Sequence, residues 1–258
     1  MKKFLYRRDH KTMKIYTYYE NIKFKQQNEL LKLWEMSWKK MGFEPIILGL
    51  KDAKKSSKYS EFCEKMRLIF KKITNKNLSS YGLSCFIRWL AYSTVENKEE
   101  RFFVSDYDVF NSGKWKTSHP IKNKLHFYDS ACPCLASGNA QEFGQLCDAF
   151  FDVTMKRLDV LQAKASHYHD QEFFMYNFMP QENVNAEELW VKYDIFFSKR
   201  RCEDVAPFGT DCDEKVRAFH VSHNNTKMVK DKNPEKYQNL SLDEVRIKIA
   251  KNILNIHE

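Results

Sequence analysis

Over residues 13–50 the chain passes from a run of strand character, MKIYTYYE, through a helix-periodic stretch, QQNELLKLWEMSWKKMGFEP, into a second apolar run, EPIILGL. Leu30, Leu31, Trp34, Trp38 and Met41 recur at three- and four-residue spacing, and Gly42 stands where a helix C-cap belongs. Strand, helix and strand joined by short connections predict the opening of a sheet whose parallel strands are covered by helices.

The same alternation continues. Helices are expected over Tyr59 to Ile73 and Leu83 to Val95, the second with Phe86, Trp89, Leu90 and Ser93 on one side. RFFVSDYDVFNSG follows, where Arg101 to Val104 predicts a short buried strand with Ser105, Asp106, Tyr107 and Asp108 at or past its carboxyl end. Ligands bind at that edge in open α/β sheets. LHFYDSACPCLASGN then predicts a strand and loop, QEFGQLCDAFFDVTMKRLDVL a helix, and HDQEFFMYNFM another. Lys192 to Phe197 and Ala218 to Val221 are short strand candidates. Ser241 to Ile256 predicts a terminal helix, with Ser241 and Glu244 at capping-box spacing and Val245, Ile249 and Ile253 repeating every four residues. The expected architecture is a single α/β domain over 1–258, with an open, mostly parallel sheet flanked by helices and a Rossmann-like N-terminal half.

With 43% hydrophobic residues, the chain can fill one large core, and 7 Gly and 6 Pro leave no stretch that reads as a linker. In MKKFLYRRDHKTMK charges interrupt every apolar stretch, so neither a secretory signal nor a transmembrane segment is expected and the cytoplasm is the expected compartment. The seven cysteines show no CxxC pair, and Cys132 and Cys134 in ACPCL receive no role. The net charge of +9 comes from lysines mixed with acids along the whole chain, a pattern of solvated helix faces, so no nucleic-acid partner is expected.

Asp106 and Asp108, at i and i+2 in extended backbone, project to one side and can share a hard cation through oxygen ligands. Such a cation would neutralise a diphosphate leaving group. With a helix bearing FIRWLAY upstream, the strand ending in SDYD resembles the GT-A glycosyltransferases, metal-dependent enzymes that move a sugar from a nucleotide-sugar donor to a glycan or other hydroxyl acceptor. The resemblance implies a hexosyl- or pentosyl-transferase, with residues 1–112 as nucleotide-binding half and 113–258 as acceptor-binding half.

On that resemblance, Thr17, Tyr18 and Tyr19 of IYTYYEN would cup the nucleotide, joined by Ser105 and Tyr107. Arg88 would contact the nucleotide or the DxD carboxylates. HDQEFFMYN is similar to a DQ segment near the transferred sugar, where Asp170 would act as general base or hydrogen-bond the sugar and Gln171 would lie beside it. FHVSHNNTK resembles the late histidine that completes the cation's coordination. His220 and His223 compete for that place, and an imidazole ligand favours Mn²⁺ over Mg²⁺. Gly138 and Asn139 fall on the acceptor side by order along the chain, and Lys227 is a weaker phosphate candidate. His167 and His169 in HYH diverge on a helix and are not taken as a metal pair. SDYD also resembles the first motif of haloacid dehalogenase-like phosphatases, with Asp106 as nucleophile and Asp211 and Asp213 as a late acidic pair. A non-enzymatic basic binding protein is the third alternative.

Overall fold

Aromatic and β-branched residues favour extended backbone, and Lys14–Tyr18 forms β1 with Ile15 to Tyr18 buried. The structure, a computed structural model, describes residues 12–22, 27–119, 121–129, 132–164, 168–178, 195–197, 204–208 and 216–256. Helix α1 (Asn28–Lys39) buries Leu30, Leu31, Leu33, Trp34 and Trp38. Gly42, at φ 87, then takes the left-handed turn that leads into β2 (Glu44–Leu48). β2 is the edge strand of its sheet, half exposed, which is where Pro45 costs no ladder hydrogen bond. Helices α2 (Leu50–Ala53), α3 (Tyr59–Thr74) and α4 (Ser80–Ser93) lead to β3 (Phe102–Ser105), which is wholly buried.

The remainder runs β4 (Val109–Asn111), β5 (Leu125–Phe127), β6 (Leu135–Gly138), α5 (Ala140–Lys156), α6 (Leu158–Lys164), α7 (Asp170–Phe178), β7 (Ile195–Phe197), β8 (Val205–Pro207) and β9 (Ala218–His220). Three helices close the described chain: α8 (His223–Lys232), α9 (Pro234–Tyr237) and α10 (Leu242–Ile253). The predicted capping box is formed at α10, where Ser241 and Glu244 exchange hydrogen bonds with each other's backbone N–H.

Among the described residues the main sheet has the order β2-β1-β3-β6-β5-β7, and β4-β9-β8 form a smaller one. Strands β2, β1 and β3 are parallel, as expected. The rest of the sheet is mixed: β6 is antiparallel to both β3 and β5, while β7 returns parallel to β5. The expectation of a mostly parallel sheet therefore holds only for its N-terminal part. Residues 128–134 between β5 and β6 are too few for the crossover that a parallel pair demands, so the chain reverses.

Alternation along the strands divides the core between two faces. Tyr16, Phe102 and Val104 face α3, α4, α5 and α7, where Trp89, Phe143, Phe150 and Phe174 pack together. Ile15 and Phe103 face α1, α10 and the small sheet, among Trp34, Trp38, Trp115 and Ile249. The protein is thus a mixed α/β structure with helices on both faces of its larger sheet. No described helix is long and apolar enough to cross a membrane.

Candidate functional site

Because β2 and β3 lie on opposite sides of β1, a crevice opens at the carboxyl ends of β1 and β3. The register of Ile15 with Phe103 and Tyr16 with Val104 brings the residues after β1 beside those after β3. The rings of Tyr19 and Tyr107 meet edge to face there, 5.4 Å between centroids.

Past β3 the backbone is a turn, not the extended stretch expected from sequence. The Asp106 carbonyl accepts the Val109 N–H at 3.1 Å, while the Asp106 N–H donates to the Cys134 carbonyl at 2.8 Å. The turn launches β4 into the small sheet, where Val109 is in register with His220 and the Val221 N–H donates to the Asp108 carbonyl at 2.8 Å. His220 is thereby placed over the acidic pair, with Nε2 3.5 Å from Asp108 Oδ1. Ligand atoms of Asp106, Asp108 and His220 all fall within 4.8 Å of one another.

Two arginines hold these carboxylates. Arg88 of α4 contacts Asp106 directly and donates from Nε and Nη2 to Asp170 Oδ2 at 3.0 and 2.7 Å. Arg246 of α10 has no exposed side chain and donates to Asp108 Oδ2 at 2.8 Å, Gln27 Oε1 at 3.0 Å and the Val221 carbonyl at 3.1 Å. The carboxylates of Asp106, Asp108 and Asp170 thus face the guanidiniums of Arg88 and Arg246, with the His220 imidazole beside Asp108.

Burial, with the charge of Asp108, pushes Asp106 up to about 7 in spite of Arg88. Burial also opposes charge on Asp108, but His220 and Arg246 outweigh it and hold that carboxyl below its ordinary value. His220 is raised well above the usual histidine value by Asp108, against its own burial. Two carboxylates with pKa values driven apart are a common mark of a working site. Asp108 Oδ1 is buried and has no hydrogen-bond partner among the described residues. With only the His220 ring nitrogen 3.5 Å away, this oxygen is weakly met, and two carboxylates with an imidazole form a donor set that fits a divalent ion.

Around the cluster lie two connected hollows that share Tyr81, Cys85, Arg88, Asp106 and Asp108. The smaller, about 130 Å³, is bounded by Tyr18, Tyr19, Glu20 and Tyr107. The larger, about 460 Å³, is bounded by Asp129, Cys132, Asp170, Gln171, His220 and His223. A further hollow of about 500 Å³, around Lys58, Glu61 and Asp148, contains none of these groups.

The structure therefore gathers Tyr18, Tyr19, Arg88, Asp106, Tyr107, Asp108, Asp170, Gln171, His220 and His223, but it does not gather all the expected residues. Thr17 and Ser105 point to the α1 face: Thr17 is fully buried and Ser105 accepts the Trp34 indole N–H at 2.8 Å. Gly138 pairs with Phe102, at the opposite end of β3 from Asp106, and Asn139 caps α5 through the Glu142 N–H. Reversal of β6 puts them there. His223, although it borders the larger hollow, begins α8 3.2 Å from Asp243 and is not part of the Asp106–Asp108–His220 cluster. Lys227 pairs with Asp231 at 2.5 Å on the exposed side of α8.

Asp170, expected to act as general base or to hydrogen-bond the sugar, is held by several neighbours. Its Oδ2 accepts from Arg88 and from the Trp89 indole N–H at 2.8 Å, and its Oδ1 accepts the Gln171 N–H at 2.9 Å. With these lone pairs engaged it anchors Arg88. Asp170→Asn is expected to cost about 2–3 kcal/mol in urea unfolding, the worth of a hydrogen bond to a charged group; an unchanged midpoint would contradict the anchoring role.

Sequence reasoning missed Arg246, Trp89 and the two loop cysteines. Cys132 is drawn down to about 6 by its contacts with Cys134 and His220, while burial pushes Cys134 up. An arginine beside Val245 on the apolar stripe of α10 was the available signal, since a buried cation needs a buried acid. His167, Asp211, Asp213, Cys202, Cys212 and Lys192 lie outside the described residues.

The fold and cluster define a mixed α/β protein with an acid–imidazole site at the β1–β3 crevice. Among known sequences, residues 4–110 match a family described as a domain of unknown function (DUF8765), a stretch that ends just past Asp108 and includes Tyr19, Arg88 and Asp106. No curated protein and no solved structure matches the chain.

Proposed function

We propose that the chain is a metal-dependent glycosyltransferase of the GT-A type, moving a sugar from a nucleotide-diphosphate donor to a hydroxyl acceptor. The observation that carries this is the convergence of Asp106, Asp108 and His220 within 4.8 Å at the mouth of the β1–β3 crevice, between the two hollows. These three residues would hold the ion, and two carboxylates with one imidazole suit Mn²⁺ better than Mg²⁺. Such an ion, when bound, neutralises the charge that develops on the departing nucleoside diphosphate.

The chain's own groups supply the rest. Tyr19 and Tyr107 line the smaller hollow with aromatic surface for a base, and Tyr18, whose hydroxyl donates to Glu20, adjoins them. Arg88, fixed by Asp170 and lying over the Trp89 ring at 4.7 Å, sets the position of Asp106. Gln171 borders the larger hollow, where the transferred sugar and acceptor would meet.

The test is a thermal-shift screen against UDP, GDP, CMP and dTDP, each with and without Mn²⁺. One diphosphate is expected to raise the melting temperature only when Mn²⁺ is present, because a ligand that binds the folded state alone stabilises it. A flat response to every nucleotide, with or without metal, would remove the proposal.

A further inference from the structure

The geometry points to a second metal site, for a thiophilic ion such as Zn²⁺, formed by Cys132, Cys134 and His220. One Sγ from each cysteine and one ring nitrogen lie within 4.8 Å of one another. Tetrahedral zinc with bonds of about 2.0–2.3 Å needs donor atoms about 3.5–3.8 Å apart, so the set closes on an ion with movement of about 1 Å. Asp129 stands ready as an oxygen donor, its Oδ2 3.8 Å from the Cys134 Sγ.

The backbone that carries these groups is tied down at both ends. The Cys134 carbonyl accepts the Asp106 N–H, and the His220 carbonyl accepts from Asn225 Nδ2 at 3.1 Å. The loop brings both sulfurs of Cys132 and Cys134 within 4.8 Å of each other and of the His220 ring, which lets them reach one ion. Two thiolates and an imidazole select zinc over manganese, while the carboxylates of Asp106 and Asp108 have the opposite preference. Each thiol releases its proton to solvent as the ion enters.

Bound there, the ion staples the loop after β5 to the end of β9 at the edge of the larger hollow. The site does not depend on the glycosyltransferase proposal, although His220 belongs to both donor sets.

The test uses the full chain, stripped of metal and titrated with Co²⁺ as the probe. Wild type is expected to develop a thiolate-to-cobalt charge-transfer absorption that Zn²⁺ abolishes by displacement. Cys132→Ser, at a half-buried position where the fold should persist, is expected to lose the band and to weaken Zn²⁺ binding by more than about 100-fold. Cys134→Ser should behave alike, whereas Cys147→Ser and Asp106→Asn should keep the band. A wild-type spectrum without it, or a band that survives in Cys132→Ser with far-UV circular dichroism unchanged, overturns the zinc site. Either result leaves the Mn²⁺-dependent nucleotide shift as a separate readout.

Discussion

Arg246→Met is expected to destabilise the metal-free protein by about 3–5 kcal/mol, the cost of leaving a buried carboxylate without its partner. Arg246 is fully buried and its Nη2 donates to Asp108 Oδ2 at 2.8 Å. Methionine matches much of the side chain's length and keeps packing over Tyr107, so the loss reports Asp108 together with the Gln27 and Val221 hydrogen bonds. Two comparisons isolate the charge. Adding Asp108→Asn to Arg246→Met should recover a large part of the loss, since the orphaned charge is gone, and Mn²⁺ should stabilise Arg246→Met more than wild type, because a cation then supplies the missing positive charge. Urea unfolding in a chelator, repeated with Mn²⁺, measures all three. A single-variant loss below about 1 kcal/mol, the range of an exposed ion pair, would mean that the pair is not buried in solution.

Asp108→Asn is expected to reduce Mn²⁺-dependent nucleotide binding by more than about 100-fold, beyond the effect usual for groups that only support a ligand. Asn keeps the volume and one acceptor oxygen but removes the charge that holds both the cation and His220. In wild type the same affinity should climb with pH. Asp106, raised to about 7, carries a proton at lower pH and then offers the ion a neutral carboxyl, and His220, raised well above its ordinary value, must also give up a proton before it can ligate. Both groups place the loss of affinity on the acid side. Stability without metal runs the other way. A folded-state pKa above the unfolded value means that the stabilisation is complete below the unfolded value and lost as pH rises through the folded one. The chelated protein should therefore weaken as pH rises through about 7, and Mn²⁺ should reverse that fall. Calorimetric titration across this window checks the affinity, and a pH-independent value would contradict the assignment of Asp106 and His220.

What could be foreseen from sequence follows from which interactions are local. The periodicity of Leu30, Leu31, Trp34 and Trp38 reports one buried helix face, and the apolar run before Asp106 reports a buried strand, so β1, α1, β2 and β3 were legible together with the acids at the edge of β3. Strand direction leaves no mark in such patterns. Gly138 and Asn139 were assigned to the acceptor side by order along the chain, yet β6 runs against β3 and carries its last residues away from Asp106. Thr17 and Ser105 lie among the right residues in sequence but on the wrong face, one pleat away from Tyr18 and Asp106. His223 lost its place because β9 stops at His220, and Ser222 caps α8 by accepting the Asn225 N–H. Arg246 was hidden for another reason: it stands 138 positions from its carboxylate partner, a separation that only the tertiary fold closes.

Pulsed electron paramagnetic resonance of Mn²⁺ bound with the responding nucleoside diphosphate tests the central claim most directly, because nitrogen hyperfine modulation reports an imidazole on the ion. The account predicts ¹⁴N modulation in wild type and in His223→Gln, and its loss in His220→Gln. Modulation that survives in His220→Gln, or Mn²⁺ that fails to bind at all, would contradict a metal centre built from Asp106, Asp108 and His220.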